Sequence, residues 1–388
     1  MRCKLLFTSL FFVFYTVAQQ DITITCGPYL QRVSETEATF VWLTDQESTG
    51  WVEIAPDDST HFYAIDRPKH YQTYLGKKYT GTIHTVCVDN LTPGTSYRYR
   101  VYSQATISHN NGFSTFYGKI VATNVFKKTP LQFKTLDTSK TDFAFVVIND
   151  IHENNELQTS LLNNIKQENV DFVVFNGDMV SDMRTADKIT DGFLKTASNL
   201  FASELPLYMV RGNHEPRGMD SQKYMNFFPS ATGQPYYTFQ HGNTFFIVLD
   251  SGEDKPDNDI EYWGLGAFDE YRANEAKWLK KIVRSHEFLN AKHKIVIMHM
   301  PPILNHWYGP AMANKLFVPV LNEAKIDLML CGHFHRHWFI EKNYQNCDFP
   351  ILVNSNKNKT KVKISANAIV LTVADEQGKP IFEKKLGF

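Results

Sequence analysis

The chain has 388 residues, 43% of them hydrophobic, which is enough for two packed domains. Lys and Arg number 40 against 41 Asp and Glu, a formal net charge of −1. This balance lacks the overall basic excess that marks nucleic-acid-polymer binders, and the apolar content excludes a disordered chain.

Residues 1–18 read as a secretory signal peptide. Arg2 and Lys4 form a basic start, Leu5 to Val17 is mostly apolar, and Ala18 offers a small residue at the cut. The apolar run is short of the ~20 residues that a membrane-spanning helix needs. No later segment is long and apolar enough to span, so export is expected (periplasmic or secreted) with no stable membrane insertion after cleavage. Cleavage removes two basic and no acidic residues and takes the net charge from −1 to −3. Of the remaining cysteines, Cys26 and Cys87 lie in the front half and Cys331 and Cys347 in the back half. Export permits one disulfide in each half, and buried free thiols are the alternative.

Residues 19–137 read as an all-β sandwich. Thr39–Leu43, Trp51–Ile54, Thr82–Val88 and Tyr97–Tyr102 are β-rich segments separated by turns. Residues 103–129 fit no element. No cluster of metal-ligand or nucleophile-and-base residues occurs here, so this part is not expected to carry chemistry. A polar linker, Asp137–Asp142, leads into residues 138–388. There apolar runs (143–148, 172–175, 205–210, 244–249, 295–298 and 326–330) alternate with helical patterns such as Leu157, Leu161, Leu162 and Ile165, and Ala276–Val283. That order predicts an α/β domain with well-buried sheets.

Five of these runs end in metal-binding residue types. They are Asp150 and His152, then Gly177-Asp178, then Gly212-Asn213-His214-Glu215, then His299, then Gly332-His333 with His335. Residues i and i+2 of an extended segment face one side, so Asp150 with His152, and His333 with His335, can each aim two ligands at one point. The glycines permit sharp turns. In open α/β sheets, ligands collect beyond the carboxyl ends of the strands.

This ordered constellation resembles the calcineurin-like metallophosphoesterase superfamily, whose pattern is D-x-H, G-D, G-N-H-D/E, H and G-H-x-H. The segment Leu91–Val101 and Trp42 resemble the corner and buried tryptophan of fibronectin type III domains. A fibronectin-like module before such a domain is similar to purple acid phosphatases. The resemblance implies a β-sandwich followed by a four-layer αββα domain. It implies two metal sites: Asp150, His152, Asp178 and His335 for one, and Asp178, Asn213, His299 and His333 for the other, with Asp178 bridging. It also implies a hydroxide between the metals that attacks phosphorus in line, and His214 as the group that stabilises the transition state or protonates the leaving oxygen. The donor set admits Fe, Mn or Zn. His306, Trp307 and Tyr308, on a loop flanked by Pro302 and Pro310, are weaker candidates for substrate contacts, as is Arg217, which with Trp263 could line the cleft.

One departure bears on colour. Purple acid phosphatases carry a tyrosine ligand three residues after the Gly-Asp aspartate and usually lack the histidine of the first motif. Here Ser181 occupies the first position and His152 is present. No tyrosinate-to-iron colour is expected. The expected activity is a phosphomonoesterase on small phosphorylated substrates, with no nucleic-acid polymer as partner. The alternatives are a phosphodiesterase on nucleotides or lipid head groups, and a catalytically dead adhesion or glycan-binding protein. The sequence leaves the oligomeric state open.

Overall fold

The computed structural model describes residues 21–126, 128–304 and 306–387. The expected signal peptide lies outside them. Among the described residues, no helix is long and apolar enough to cross a membrane.

The front module is a sandwich organised by one long strand, Ala38–Pro56. Its first half pairs with Ile24–Gln31 and Gly81–Val88. A register shift between Leu43 and Ser48 bends it, and its second half pairs with Ser96–Asn110. The two segments read separately as Thr39–Leu43 and Trp51–Ile54 are therefore one strand that switches layers. Its inward residues Phe40, Trp42 and Val52 meet Val86, Val88, Tyr99, Val101 and Phe133 in the core. Residues 103–122, which had no assignment, continue the strand to Asn110 and return as Ser114–Ala122. Ile107, Phe116 and Ile120 on this hairpin are more than half exposed, so their pattern marks no core.

The second domain has two six-stranded sheets. One runs 207–210, 172–176, 143–148, 359–365, 368–374, 380–387, and the other 237–241, 244–249, 293–298, 328–331, 351–353, 338–340. In the first sheet the strands 207–210, 172–176 and 143–148 pair in parallel and the rest antiparallel, and in the second the four inner strands are parallel. Side chains alternate strictly. Phe145, Val147, Phe172 and Val174 face Phe246, Val248, Ile295 and Ile297 between the sheets. The intervening Val146, Ile148, Val173 and Phe175 face a helical layer that includes Asn155–Leu162. On the other side, Ile247, Val296 and Met329 face Phe268–Ile282 and Tyr308–Ala324. Strands buried on both faces read as continuous apolar runs, which is why they were visible in the sequence. The resulting order of layers is αββα.

The two modules are joined by polar anchors as well as by apolar contact. Tyr29 Oη donates to the Phe227 carbonyl at 2.8 Å, Gln31 Nε2 to the Leu207 carbonyl at 2.7 Å, and Tyr208 Oη back to the Val33 carbonyl at 2.8 Å. The four described cysteines are free thiols, so of the two alternatives the disulfide is formed at neither pair. Cys26, Cys331 and Cys347 are buried, while Cys87 is exposed.

Candidate metal centre

The ligand-type residues stand just past the strands Phe143–Ile148, Phe172–Asn176, Leu207–Val210, His293–Met298 and Leu328–Cys331. Their loops are tied to each other by backbone hydrogen bonds. Asp150 N–H donates to the Gly177 carbonyl at 2.9 Å, His152 N–H to the Asp178 carbonyl at 3.1 Å, and Gly332 N–H to the His299 carbonyl at 2.9 Å.

The backbone there is not extended. Asp150, His152, Asp178, His333 and His335 have φ of 54°, 47°, 52°, 73° and 52°. Non-glycine residues held in this left-handed region are strained, and such strain collects at functional sites. Left-handed turns, rather than the i, i+2 geometry of a strand, thus bring Asp150 to His152, while His333 and His335, expected to aim at one point, go to different donor groups. Of the three motif glycines only Gly177 needs positive φ (81°). Gly212 and Gly332 are required for space, because a Cβ would stand 2.1 Å from Asp178 Oδ1 at the first and 2.8 Å from Asp150 Oδ2 at the second.

The side chains converge. Asp150, His152 and His335 form one group whose ligand atoms lie within 4.8 Å of each other, and Asp178, His299 and His333 form another. His152, Asp178 and His214 make a third. His299 Nε2 is 3.0 Å from Asp178 Oδ2 and 3.8 Å from Asp150 Oδ1, which links the first two groups. Its Nδ1 donates to the Asn176 carbonyl at 2.7 Å, so Nε2 is the nitrogen presented to the carboxylates. His335 Nε2 is 3.1 Å from Asp150 Oδ1.

Whether a cation fits can be judged from the donors left without partners. With the oxygen of Asn213 facing inward, it stands 2.9 Å from His333 Nδ1 and 3.2 Å from Asp178 Oδ2, with no proton donor among them. A cation satisfies all three. Without one, the amide turns over, its nitrogen donates to both, and its oxygen accepts from Arg217 Nη2 at 3.1 Å. His333 Nε2 is buried with no hydrogen-bond partner. The mixture of carboxylate, imidazole and amide oxygen suits a transition metal.

The electrostatics agree. Burial works to raise the Asp178 carboxyl, but His299 outweighs it and holds the group well below the usual carboxylate range. Burial works to lower His299, but Asp178 and Asp150 push it up to about 10. Burial lowers His333 to about 4 and also lowers His152. Glu215 is fully buried and accepts from the N–H groups of Asp178 (3.1 Å), Met179 (2.8 Å) and Gly212 (2.8 Å). It fastens two ligand loops together, and burial followed by the Asp178 charge raises it to about 7.

His214 donates from Nδ1 to the Ser181 carbonyl at 2.8 Å, which leaves Nε2 toward the cluster, 3.8 Å from Asp178 Oδ2. Ser181 Oγ donates to Glu153 at 2.7 Å and carries no charge into the site. The weaker candidates divide. Arg217 lies against His214 and Asn213. Trp307 packs edge-on against His333 with ring centroids 5.3 Å apart, while its neighbour His306 is exposed. Tyr308 opens the helix 308–324 rather than sitting in a loop, and its hydroxyl donates to Asp269. Trp263 is 84% exposed. Sequence reasoning passed over Glu253, although the run Asp250-Ser-Gly-Glu253-Asp254 ends the strand Thr244–Leu249 just as the ligand motifs end theirs.

Comparison with known proteins follows this geometry. The calcineurin-like phosphoesterase family pattern matches residues 143–337, and that of the purple acid phosphatase N-terminal domain matches residues 26–115. The serine/threonine-protein phosphatase CPPED1 of Mus musculus is 24% identical over 155 residues, covering 38% of this chain and 46% of that protein. The Homo sapiens protein of that name is 22% identical over 190 residues, covering 46% of this chain and 57% of that protein. The chain thus spans about half the length of these curated relatives. The purple acid phosphatase PPD1 of yellow lupin (Lupinus luteus) seeds shares the fold, with a TM-score of 0.66 and 14% identity over 93% of this chain and 74% of that one. With the family pattern covering half of its length, and that half holding the convergent donors, the chain belongs to the calcineurin-like phosphoesterase family.

Proposed function

We propose that the chain is an exported phosphomonoesterase that works with two metal ions. The observation that carries this is the pair of donor groups at one edge of the stacked sheets, Asp150–His152–His335 and Asp178–His299–His333, joined through His299. Asp178 would bridge them, and Asn213 would complete the second. When bound, two such ions supply Lewis-acid stabilisation of phosphoryl oxygens and activation of a water near neutral pH. The chain's own residues do the rest. Glu215 holds the loops that present Asp178 and Asn213. The Asn176 carbonyl fixes the His299 tautomer, and the Ser181 carbonyl directs His214 Nε2 at the cleft, where it can donate a proton to the leaving oxygen. General acid assistance of this kind is typically worth ~10²–10⁴ in rate.

The match of the front module to the purple acid phosphatase N-terminal domain, together with phosphatase-named relatives, supports monoester over diester substrates. Export rests on the basic, apolar and small-residue order of residues 1–18, and the N-terminus of the mature protein should begin after Ala18. The test of substrate class compares p-nitrophenyl phosphate with bis(p-nitrophenyl) phosphate. Faster turnover of the monoester is expected, and preference for the diester would reassign the chain to phosphodiester chemistry.

A further inference from the structure

Glu253 is fully buried, and its carboxylate meets the edge of the Arg217 guanidinium. Nε donates to Oε1 at 2.6 Å and Nη2 to Oε2 at 3.1 Å. Tyr262 Oη and the Asp254 N–H each donate to Oε2 at 3.0 Å. A forked pair of this kind fixes the plane of the guanidinium as well as its place. The backbone of Arg217 is held too. Its carbonyl accepts from Met183 N–H at 2.6 Å, its N–H donates to the His214 carbonyl at 3.1 Å, and Gly218 follows with φ of 94°.

With Nε and Nη2 engaged, Nη1 is the arm left over. It lies 3.3 Å from both ring nitrogens of His214. Nδ1 already gives its proton to Ser181, and a donor equidistant from two nitrogens is aligned with neither lone pair. The guanidinium therefore braces the imidazole as a wall. A buried ion pair contributes little to stability over apolar residues of equal volume, so stability alone does not account for it.

We propose that the Glu253–Arg217 pair is a positioning clamp for the phosphatase reaction. It sets the His214 ring toward the leaving oxygen. The inference rests on the reading of His214 as the proton donor to that oxygen. A displacement of ~1 Å at such a group costs on the order of 10² in rate. The cost falls on substrates that need the proton. An alkyl phosphate such as β-glycerophosphate has a poor leaving group, whereas p-nitrophenolate leaves without help.

The test uses the full chain loaded with metal, in the variants Arg217→Ala, Arg217→Lys and Glu253→Gln. Metal content should stay at the wild-type level. For the alkyl ester, kcat should fall about 100-fold with little change in KM, and for the aryl ester by less than about 5-fold. Arg217→Lys keeps the charge but not the fork, so it should behave like Arg217→Ala. Equal losses on both esters, or none, would overturn the clamp while leaving the phosphatase reading intact. A wild-type protein inactive on both esters with metal bound would overturn the phosphatase reading and the clamp with it. Should Glu253→Gln fail to fold, the partly accessible Arg217 variants decide the matter.

Discussion

His84 in the front sandwich and His299 in the phosphoesterase domain are both withdrawn from water, at 1% and 0% exposure, yet their surroundings push them in opposite directions. His84 stacks on Trp42 with ring centroids 5.1 Å apart, and its Nε2 lies 2.7 Å from Ser48 Oγ and 3.3 Å from Thr44 Oγ1. Its neighbours are neutral, so burial lowers it to about 4. His299 sits between Asp178 and Asp150, which overcome burial and raise it to about 10. The first is a polar side chain satisfied by its own module. The second faces two carboxylates of the donor cluster, and the proton that they draw to it stands where a cation would otherwise balance their charge. Burial alone therefore does not separate a structural histidine from a functional one; the charge and hydrogen bonding of its neighbours do.

That contrast can be broken most forcefully at Asp178. Asp178→Asn weakens both donor groups, so it should lower metal content and turnover together, by more than the 10–100-fold typical of outer-shell changes and on the order of 10³. Unchanged metal content by elemental analysis would remove Asp178 from its bridging place. The next largest effect belongs to His214→Ala, which should keep its metals and lose ~10²–10⁴ in kcat on an alkyl phosphate, read by steady-state turnover beside metal analysis. Full activity would remove the proposed proton donor.

Substitution of His84 sharpens the other side. His84→Ala removes one hydrogen-bond partner of Ser48 and Thr44 and opens a cavity beside Trp42, so it should cost ~1–3 kcal/mol in denaturant unfolding. Metal content and kcat of the folded variant should match wild type. The pH dependence has a definite sign. His84 binds its proton more weakly folded than unfolded, near 4 against 6.5. The unfolded chain therefore takes up protons first as pH falls through that window, and stability declines. The wild-type loss between pH 6.5 and 4 should be smaller by roughly 2 kcal/mol in His84→Ala. Parallel pH profiles for the two proteins would show that His84 is not neutral in the fold.

Much of the site could be read before any coordinates, and the reason is physical. Strands buried on both faces give unbroken apolar runs, so the residue types that end them, such as Asn149-Asp150 and Cys331-Gly332-His333, stand out sharply. Other features had no such contrast. The left-handed backbone at Asp150, His152, His333 and His335 leaves no mark in composition, because the glycine that would announce it has no side chain to offer a metal. The helix Tyr308–Ala324 was hidden by Gly309, Pro310 and Pro319. Proline is tolerated in a first turn but costs a hydrogen bond in the interior, so this pattern read as loop. The hairpin through residues 103–122 exposes the apolar side chains that would otherwise betray a strand. Glu253 was missed because acids after a strand read as surface until the partner Arg217, 36 residues earlier, is seen against it.

The central claim is that the two donor groups joined through His299 hold metal that the reaction requires. Its direct test is elemental analysis of the purified mature chain, with hydrolysis of p-nitrophenyl phosphate measured before and after chelation. About two metal ions per chain, with turnover lost on chelation and restored by Mn, Zn or Fe, is the predicted result. No metal and no turnover after all three are added back would contradict the account.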